Sequence, residues 1–218
     1  MNKQISIEEA VEKIEDGMSI MVGGFLTVGS PNKLIDALVE KNVKDLTLIA
    51  NDTSFIEKGV GKLVVNKQVK KVIVTHIGTN KETGRQMNEG ELEVELVPQG
   101  TLVERIRAAG FGLGGVLTPT GVNTIIEEGK RKIEVEGKEF LLETPLKADI
   151  ALLKGEVVDK KGNIVYDKTA RNFNPTMATA ADIVIVEADN IVEIGEIDPE
   201  NVITPSLFVD YIVDGSEK

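Results

Sequence analysis

The sequence predicts an α/β fold in which an open, mostly parallel sheet is flanked by helices. Short apolar runs of strand length alternate with segments whose apolar residues recur at helical spacing, which is the pattern of strands joined by helices. Hydrophobic residues make up 41% of the chain and charged residues 28%, as in ordinary globular proteins. Because the chain has no internal repeat and no low-complexity stretch, residues 1–218 are expected to form one domain.

The first predicted elements are a helix, a strand and a second helix. Ser6-Ile7-Glu8-Glu9 has the residues of a capping box, so a helix is expected to begin there and to stop at Gly17. Met18–Val22 is a short apolar run typical of a buried strand. Ser30 and Pro31 then open the next helix, since proline at the first helical position loses no hydrogen bond.

Further strands and helices are predicted along the rest of the chain. Leu92–Val97 alternates apolar residues with Glu93 and Glu95, which indicates a half-exposed strand near an edge of the sheet. Residues 121–143 are expected to form a hairpin excursion. The other predicted strands are Leu46–Ala50, Lys71–Thr75, Asp149–Val158, Asn163–Tyr166 and Asp182–Glu187, and the other predicted helices are Thr101–Ala108 and Asn174–Ala181.

Composition excludes several classes of function. The formal net charge of -11 disfavours nucleic acid and anionic membranes as partners. Because no apolar run approaches the roughly 18 residues of a membrane span, and Met1–Ser6 lacks the apolar run of a signal peptide, we expect a cytoplasmic protein. There is no cysteine to form disulfides or zinc–thiolate sites. The single histidine, His76, has no acidic cluster at ligand spacing, so no metal site is expected.

A glycine-rich turn, residues 23–30, joins the first predicted strand to the second helix. Glycines allow a backbone to approach a ligand closely. The free N–H groups at a helix start, with about half a positive charge from the dipole, also favour an anion. The same spacing fits a tight strand-to-helix turn that binds nothing, and the residues alone leave both interpretations open. Because G-x-G-x-x-G is absent, the turn is not a dinucleotide fingerprint.

Asp16 to Pro31 resembles the A-subunit signature of the 3-oxoacid CoA-transferase family: Asp-Gly, an apolar strand, Gly-Gly-Phe, three residues and Gly-x-Pro. Further segments resemble those of the family, in the same order, and together they cover nearly the whole chain. These segments are Gly78–Asn80, Gly90–Leu96, Pro98–Leu102, Glu104–Arg107, Thr118–Gly121 and Ala170–Pro175. A lone Gly-Gly-Phe would be a weak indication, whereas the ordered set is a strong one. Within the family, the two-chain enzymes that act on acetate, butyrate or acetoacetate are the most similar.

The resemblance implies an enzyme that moves CoA between a short-chain acyl-CoA and a free carboxylic acid by a ping-pong reaction. In this family a glutamate attacks the thioester and passes through a mixed anhydride to a glutamyl-CoA thioester. That glutamate belongs to a Ser-Glu-Asn-Gly segment of the second subunit. Here Ser216-Glu217 precedes Lys218 and Asn88-Glu89-Gly90 has a different order, so we expect no catalytic nucleophile in this chain.

The resemblance also implies a β-subunit partner, usually in an α2β2 assembly, no cofactor beyond CoA and acyl-CoA as substrates, and a fold related to that of ribose-5-phosphate isomerases. It assigns CoA binding to Gly24, Phe25, Leu26, Thr27, Val28, Gly29 and Ser30. How an acidic chain offsets the phosphate charge of CoA is left open.

Asn51 and Gln99 are expected to bind the substrate carboxylate or to stabilise an oxyanion. Each follows a predicted strand, and open α/β sheets place ligands at the carboxyl ends of strands. Their counterparts in the family line the substrate pocket. The alternative is structural: an Asx-turn for Asn51 and a loop amide bound to backbone for Gln99. Arg171–Pro175 is expected to be scaffold and a possible subunit contact, with Asn174 as an N-cap.

Two other functions are compatible with such a fold. A sugar-phosphate isomerase would need a phosphate loop and an acid/base carboxylate within one chain. A non-catalytic module would bind CoA or a sugar phosphate without turning it over. The identity of the acid pair is also open, because one methylene in a pocket discriminates by only about 1–3 kcal/mol.

Overall fold

The computed structural model describes residues 3–216. Met1 and Asn2, part of the segment searched for a signal peptide, and Glu217 and Lys218, part of the segment searched for the glutamate motif, lie outside the described residues. The strands are β1 (Gln4–Ile5), β2 (Ser19–Val22), β3 (Leu46–Ala50), β4 (Val69–Val74), β5 (Glu93–Leu96), β6 (Val116–Thr118), β7 (Lys132–Val135), β8 (Lys138–Glu143), β9 (Ala148–Asp159), β10 (Ile164–Val165), β11 (Ala181–Val192) and β12 (Tyr211–Asp214). The α-helices are α1 (Ile7–Val11), α2 (Asn32–Lys41), α3 (Gly61–Val65), α4 (Lys81–Asn88), α5 (Gln99–Gly110) and α6 (Asn174–Met177). Short 3-10 helices span Ile125–Glu127, Lys168–Arg171, Pro199–Asn201 and Ser206–Phe208.

The main sheet has the strand order β1-β12-β11-β9-β2-β3-β4-β5, with β10 paired to the end of β9. Every neighbouring pair along this order is parallel, and only the β9–β10 pair is antiparallel. The predicted fold class, an open and mostly parallel sheet flanked by helices, is therefore confirmed. Strand β5 lies at one edge of the sheet, as its alternating pattern predicted.

Helices cover both faces of the sheet, because the strands carry apolar side chains on both sides. Ile20 and Val22 of β2 join a buried cluster with the apolar sides of α1, α2 and α3. Met21, between them, belongs to a second cluster that contains Leu102 of α5 and Met177 of α6. Burying one such aliphatic side chain contributes about 1.5–3 kcal/mol. Consecutive residues of one strand thus hold helices to opposite faces.

The structure contains two helices that the sequence pattern did not predict, α3 and α4. The sequence of α4 has one large apolar residue, Met87, and a glycine, so it has little helical periodicity. A tertiary contact and a local cap hold it instead: the Gln86 amide donates to the Val64 carbonyl at 2.9 Å, and the Asn80 side chain caps the first turn. The predicted first helix is also shorter than expected, since α1 ends at Val11, although its capping box is present.

Residues 121–143 contribute to a separate three-stranded antiparallel sheet with the order β6-β8-β7. Strands β7 and β8 form the predicted hairpin around Glu136 and Gly137, which have φ of 51° and 77°. Positive φ at both central residues is the requirement of a type I′ turn. None of the helices within residues 3–216 has the length and apolar character needed to cross a bilayer.

Candidate functional site

The candidate site lies where β2, β3 and β4 end side by side. Val22 pairs with Ala50 and Ile49 pairs with Ile73, so the three strands finish at the same edge of the sheet. The glycine turn follows β2, Asn51 follows β3, and Thr75 follows β4. In open α/β sheets this carboxyl edge is where ligands bind.

Asn51 and Gln99, 48 residues apart, contact each other at this edge. The Gln99 amide nitrogen donates to Asn51 Oδ1 at 2.9 Å. The Thr75 hydroxyl lies 3.1 Å from the same oxygen and 2.8 Å from the Asn51 main-chain carbonyl oxygen, so its single hydrogen is shared between these two acceptors. Because Oδ1 is held as an acceptor, the Asn51 amide nitrogen remains as a donor; it has no partner among residues 3–216 and is not sealed from solvent. Asn51 is 2% exposed, whereas Gln99 is exposed.

Gln99 follows a strand, as the sequence predicted, but it is already the first residue of helix α5. Strand β5 ends at Leu96, and Pro98 takes the N-cap position without a side-chain cap. Helix α5 therefore begins before the predicted start at Thr101, although Gly100 has a low helix propensity. The side chain of Gln99 therefore reaches the site from the start of α5, the helix that follows the edge strand β5.

The glycine turn is a tight reversal in a strained conformation. Phe25 N donates to Val28 O at 3.0 Å, and Val28 N donates to Phe25 O at 2.9 Å. Leu26 and Thr27 between them have φ of 47° and 79°. Such positive φ costs a non-glycine residue about 1–3 kcal/mol, and most for a bulky or β-branched one. Surrounding contacts must therefore hold the turn in place.

Three polar side chains from distant segments hold it. The buried Asp52 carboxylate accepts from Leu26 N at 3.0 Å. Asn172 accepts from Gly24 N at 3.1 Å and donates to the Val28 carbonyl at 3.1 Å. Asn174 donates to the Gly29 carbonyl at 3.0 Å. The segment expected to be scaffold thus acts on the glycine turn itself.

The expectation that Asn174 is an N-cap is wrong. Phe173 is the N-cap residue of α6, and Asn174 is the first helical residue, with no side-chain cap bond. The side-chain amide of Asn174 is buried. Its nitrogen donates to the Gly29 carbonyl, and its Oδ1 accepts from Lys154 N at 3.2 Å. Because Asn174 Oδ1 accepts from Lys154 N in strand β9, it does not cap the first turn of α6.

Close packing within the chain explains why two of the turn positions are glycine. A Cβ on Gly24, at φ 112°, would lie 1.9 Å from Ser30 Oγ. A Cβ on Gly29, at φ 74°, would lie 2.3 Å from the Ala170 carbonyl oxygen. Both the backbone conformation and the space therefore require glycine here before any ligand is considered.

The N-terminus of α2, at which the sequence analysis considered an anion site, is occupied by a carboxylate of the protein itself. Glu187 Oε2 accepts from Lys33 N at 2.9 Å and from Leu34 N at 3.0 Å. Helix α2 begins at Asn32, one residue after the predicted start, with Pro31 as N-cap. The expectation of free N–H groups at this helix start is therefore wrong for Lys33 and Leu34.

The Glu187 carboxylate also pairs with a lysine on the adjacent strand. Lys154 of β9 is the Cα partner of Glu187 in β11, and its Nζ lies 3.0 Å from Glu187 Oε1. Lys154 pairs with Asp189 as well. Burial acts to lower the pKa of the Lys154 ammonium, but the Asp189 hydrogen bond and the Glu187 charge outweigh burial, so the pKa lies above its ordinary value.

The two sides of the glycine turn differ in the space they leave. The inner side encloses about 10 Å³, room for about one water, between Gly24, Ser30 and Asp52. The outer side opens on a cleft of about 170 Å³ lined by Thr27, Gly29, Ser30, Asn32, Lys154, Glu156, Tyr166, Asp167, Ala170 and Asp189. The larger of these two spaces against the glycine turn therefore lies on its outer side.

Sequence reasoning did not single out Asp52, Lys154 or Glu187. A signal existed for Glu187, because a charge in the apolar strand Ile183–Ala188 must find a partner when the strand is buried. Its backbone partners at the start of α2 lie more than 150 residues away, however, so the sequence pattern could not identify them. No group of three or more His, Cys, Asp or Glu side chains suited to hold a metal is found in residues 3–216.

Comparisons with known proteins agree over almost the whole chain. Residues 4–215 match the family described as "Coenzyme A transferase". The chain is 54% identical over 215 residues to "Acetate CoA-transferase subunit alpha" of Escherichia coli strain K12, covering 99% of this chain and 98% of that one. It is 55% identical over 212 residues to "Acetoacetyl-CoA:acetate/butyrate CoA transferase alpha subunit" of Clostridium acetobutylicum strain ATCC 824, covering 97% of each.

Solved structures share the fold. The crystal structure of an acyl-CoA transferase from E. coli O157:H7, in a thioester complex with CoA, superposes with a TM-score of 0.91 at 22% identity. The match covers 100% of this chain and 48% of the other, so the chain spans about half the length of that solved protein. At this identity the likeness concerns the architecture.

Proposed function

Because the chain belongs to the coenzyme A transferase family, we propose that it is the α subunit of a two-chain enzyme that exchanges CoA between short-chain acyl-CoA thioesters and free carboxylic acids. The observation that carries the proposal is the similarity, over nearly its full length, to two α subunits of such enzymes. Acetate, butyrate and acetoacetate are the proposed acids. CoA and acyl-CoA are substrates, and no further cofactor is part of the proposal.

The proposed reaction has two half-reactions. A glutamate carboxylate of the β subunit attacks the thioester carbonyl carbon. The C–S bond breaks, CoA departs as a thiolate, and an acyl–glutamyl anhydride is formed. The thiolate then attacks the glutamyl carbonyl and releases the first acid, which leaves a glutamyl-CoA thioester. The carboxylate of the second acid then attacks the glutamyl-CoA thioester. The same steps run in reverse, so the second acid becomes a CoA thioester and the glutamate is free again.

In this proposal, Asn51 and Gln99 stabilise the negative charge that develops on the thioester oxygen. The Asn51 amide nitrogen is a donor without a partner in the described part of the chain, and its orientation is set by Gln99 and Thr75. A donor that is oriented before the reaction needs no reorganisation when the charge appears. Gln99 has a second N–H, since only one is used on Asn51 Oδ1. The glycine turn supplies a wall of the site against which CoA lies.

The proposal places the site between two chains. A carboxylate nucleophile from the β subunit, closing over this edge, would exclude the water that could hydrolyse the anhydride and the thioester. An α2β2 assembly and a cytoplasmic location, where CoA thioesters are handled, are parts of the same proposal.

The experiment that tests the proposal is co-expression with a second chain that carries Ser-Glu-Asn-Gly. The purified pair should exchange CoA between acetoacetyl-CoA and isotopically labelled acetate or butyrate, and mass spectrometry should find a CoA adduct on the glutamate of the second chain. Exchange by the α chain alone, or a CoA adduct on a residue of this chain, would refute the proposal.

A further inference from the structure

A concavity of about 460 Å³ lies beside the candidate site, between the segments that follow β3 and β4. Phe55, Ile56, Glu57, Lys58, Thr79 and Lys81 line it. We call it the Lys58–Lys81 concavity. Its volume lies within the range of small-molecule sites. The Thr79 hydroxyl donates to the Ser54 carbonyl at 2.7 Å, so the two segments that form it are tied together.

The concavity has an apolar floor and a basic rim. Phe55 and Ile56 are 38% and 43% exposed, although both are large apolar side chains. Lys58 and Lys81 have no ion pair within the described residues. Glu57 is the one carboxylate among the lining residues, so the lining carries an excess of positive charge on a chain whose net charge is -11.

Its position relative to the reacting groups is set by short stretches of backbone. Phe55 is four residues beyond Asn51, and Thr79 is four residues beyond Thr75, which contacts Asn51. Four residues span at most about 14 Å even when fully extended. The concavity therefore begins within that distance of the Asn51–Gln99 pair.

We propose that the Lys58–Lys81 concavity binds the part of CoA in which the pantetheine arm meets the diphosphate. The geminal methyl groups of that arm pack on Phe55 and Ile56, and the phosphates lie between the Lys58 and Lys81 ammonium groups. This inference rests on the proposed function, because it extends the same site along its substrate. It also shows how an acidic subunit accepts a polyanion: the local charge where the phosphates lie is opposite to the net charge.

Contacts at this distance do not touch the reacting thioester. They affect the reaction through the binding energy of a remote part of the substrate. Removing the two lysines should therefore weaken the use of a thioester that carries phosphates and leave a thioester without phosphates unaffected. A merely structural role for the lysines would affect both substrates equally. The comparison of two substrates on one variant thus separates the two explanations.

The test uses the assembled two-chain enzyme with Lys58→Ala/Lys81→Ala in the α chain. Acetoacetyl-CoA and acetoacetyl-pantetheine serve as paired donors. For the CoA thioester, kcat/KM should fall between about tenfold and a hundredfold at low salt, where a tenfold change corresponds to about 1.4 kcal/mol. The fall should shrink as salt screens the charges. For the pantetheine thioester kcat/KM should not change.

The matched control is Lys70→Ala/Lys161→Ala. Both lysines are exposed and likewise have no ion pair within residues 3–216, but they lie outside the concavity. This variant should match the wild type on both donors. Lys58→Arg/Lys81→Arg should keep most of the activity with the CoA thioester.

Three outcomes would overturn the inference: an unchanged kcat/KM for the CoA thioester, an equal loss on both donors, or failure of the alanine variant to assemble with the second chain, which would make the concavity a protein contact. A wild-type pair that turns over neither donor would refute the proposed function instead. The two failures are therefore distinguishable.

Discussion

Glu187 accepts a hydrogen bond from the backbone N–H of Leu34, at 3.0 Å, and so places a carboxylate of the protein at the start of α2. The glycine turn leads directly into this helix, and a free helix start would favour an anionic ligand there. Since Glu187 already supplies the anion, the turn can contribute close backbone approach but not the amides of Lys33 and Leu34. The positive charge that CoA requires must come from elsewhere.

Glu187→Gln should destabilise the α chain by about 3 kcal/mol. The half-buried Lys154 would lose one of its two carboxylate partners, and the helix start would lose its anion. Urea unfolding followed by circular dichroism should show a lower midpoint with an unchanged slope.

The control for this change is Glu193→Gln, which removes an exposed carboxylate paired with Lys160. Exposed pairs contribute little, so the free energy of unfolding should change by less than about 1 kcal/mol. Similar losses in the two variants would contradict the capping role of Glu187.

Gln99→Ala in the assembled enzyme should lower kcat by up to about 10²–10³, the effect of removing one donor to a developing oxyanion. The change also frees Asn51 Oδ1 from one of its two side-chain partners, so the Asn51 amide would be less well oriented. Steady-state kinetics with acetoacetyl-CoA provide the measurement. Because Gln99 is exposed, the free energy of unfolding should stay close to that of the wild type. Full turnover by the variant would remove Gln99 from the site.

Thr27→Gly should raise the free energy of unfolding by about 1 kcal/mol. Glycine relieves the positive φ of 79° at this position, and the relief of about 1–3 kcal/mol exceeds the entropic cost of adding a glycine. Chemical denaturation of the two proteins gives the difference.

Thr120→Gly is the matched control, since Thr120 is exposed and does not have a positive φ. Here only the entropic cost remains, and the free energy of unfolding should fall by about 0.4–1 kcal/mol. Destabilisation by Thr27→Gly of the same size would show that the turn stores no strain.

The stabilising effect of Ser19 should depend on pH. The Ser19 hydroxyl and N–H both donate to the Asp149 carboxylate at 2.7 Å and hold the pKa of Asp149 below its usual range. A lowered folded-state pKa stabilises the protein above the unfolded value of about 3.9, and the effect is lost as pH falls through the folded pKa. The stability difference between wild type and Ser19→Ala should therefore be full at pH 7 and shrink towards pH 3.

Urea titrations at several pH values provide this measurement. Thr120→Ala serves as a comparison, because its side chain has no hydrogen bond to a carboxylate within the described residues. Its difference from wild type should not vary with pH. A Ser19→Ala difference that stays constant down to pH 3 would contradict the pKa direction.

Much of the sheet could be predicted because the sequences of buried parallel strands are continuous apolar runs. Leu46–Ala50 was predicted with its observed bounds, and the edge position of β5 followed from the alternation of Glu93 and Glu95. The helix α4 could not be predicted, because what holds it is a contact between Gln86 and a distant carbonyl rather than its own periodicity.

The candidate site was predictable in its parts but not in its contacts. The polar residues after strands pointed to Asn51, and the parallel sheet brought its edge next to the glycine turn. That Gln99 would donate to Asn51, and that Glu187 would cap α2, depend on pairings across 48 and 153 residues. Such pairings are fixed by the order of strands in the sheet, which no local pattern encodes.

Strand β12 lies between β1 and β11, with Gln4 paired to Ile212. Strand β1 can therefore complete its pairing only after the residues of β12, which lie far later in the chain, have been synthesised. Until then the backbone edge of β11 is unpaired, and long-range parallel pairing of this kind is slow and exposed to aggregation. During synthesis, the side of the sheet formed by β11, β12 and β1 should be the part that a chaperone protects.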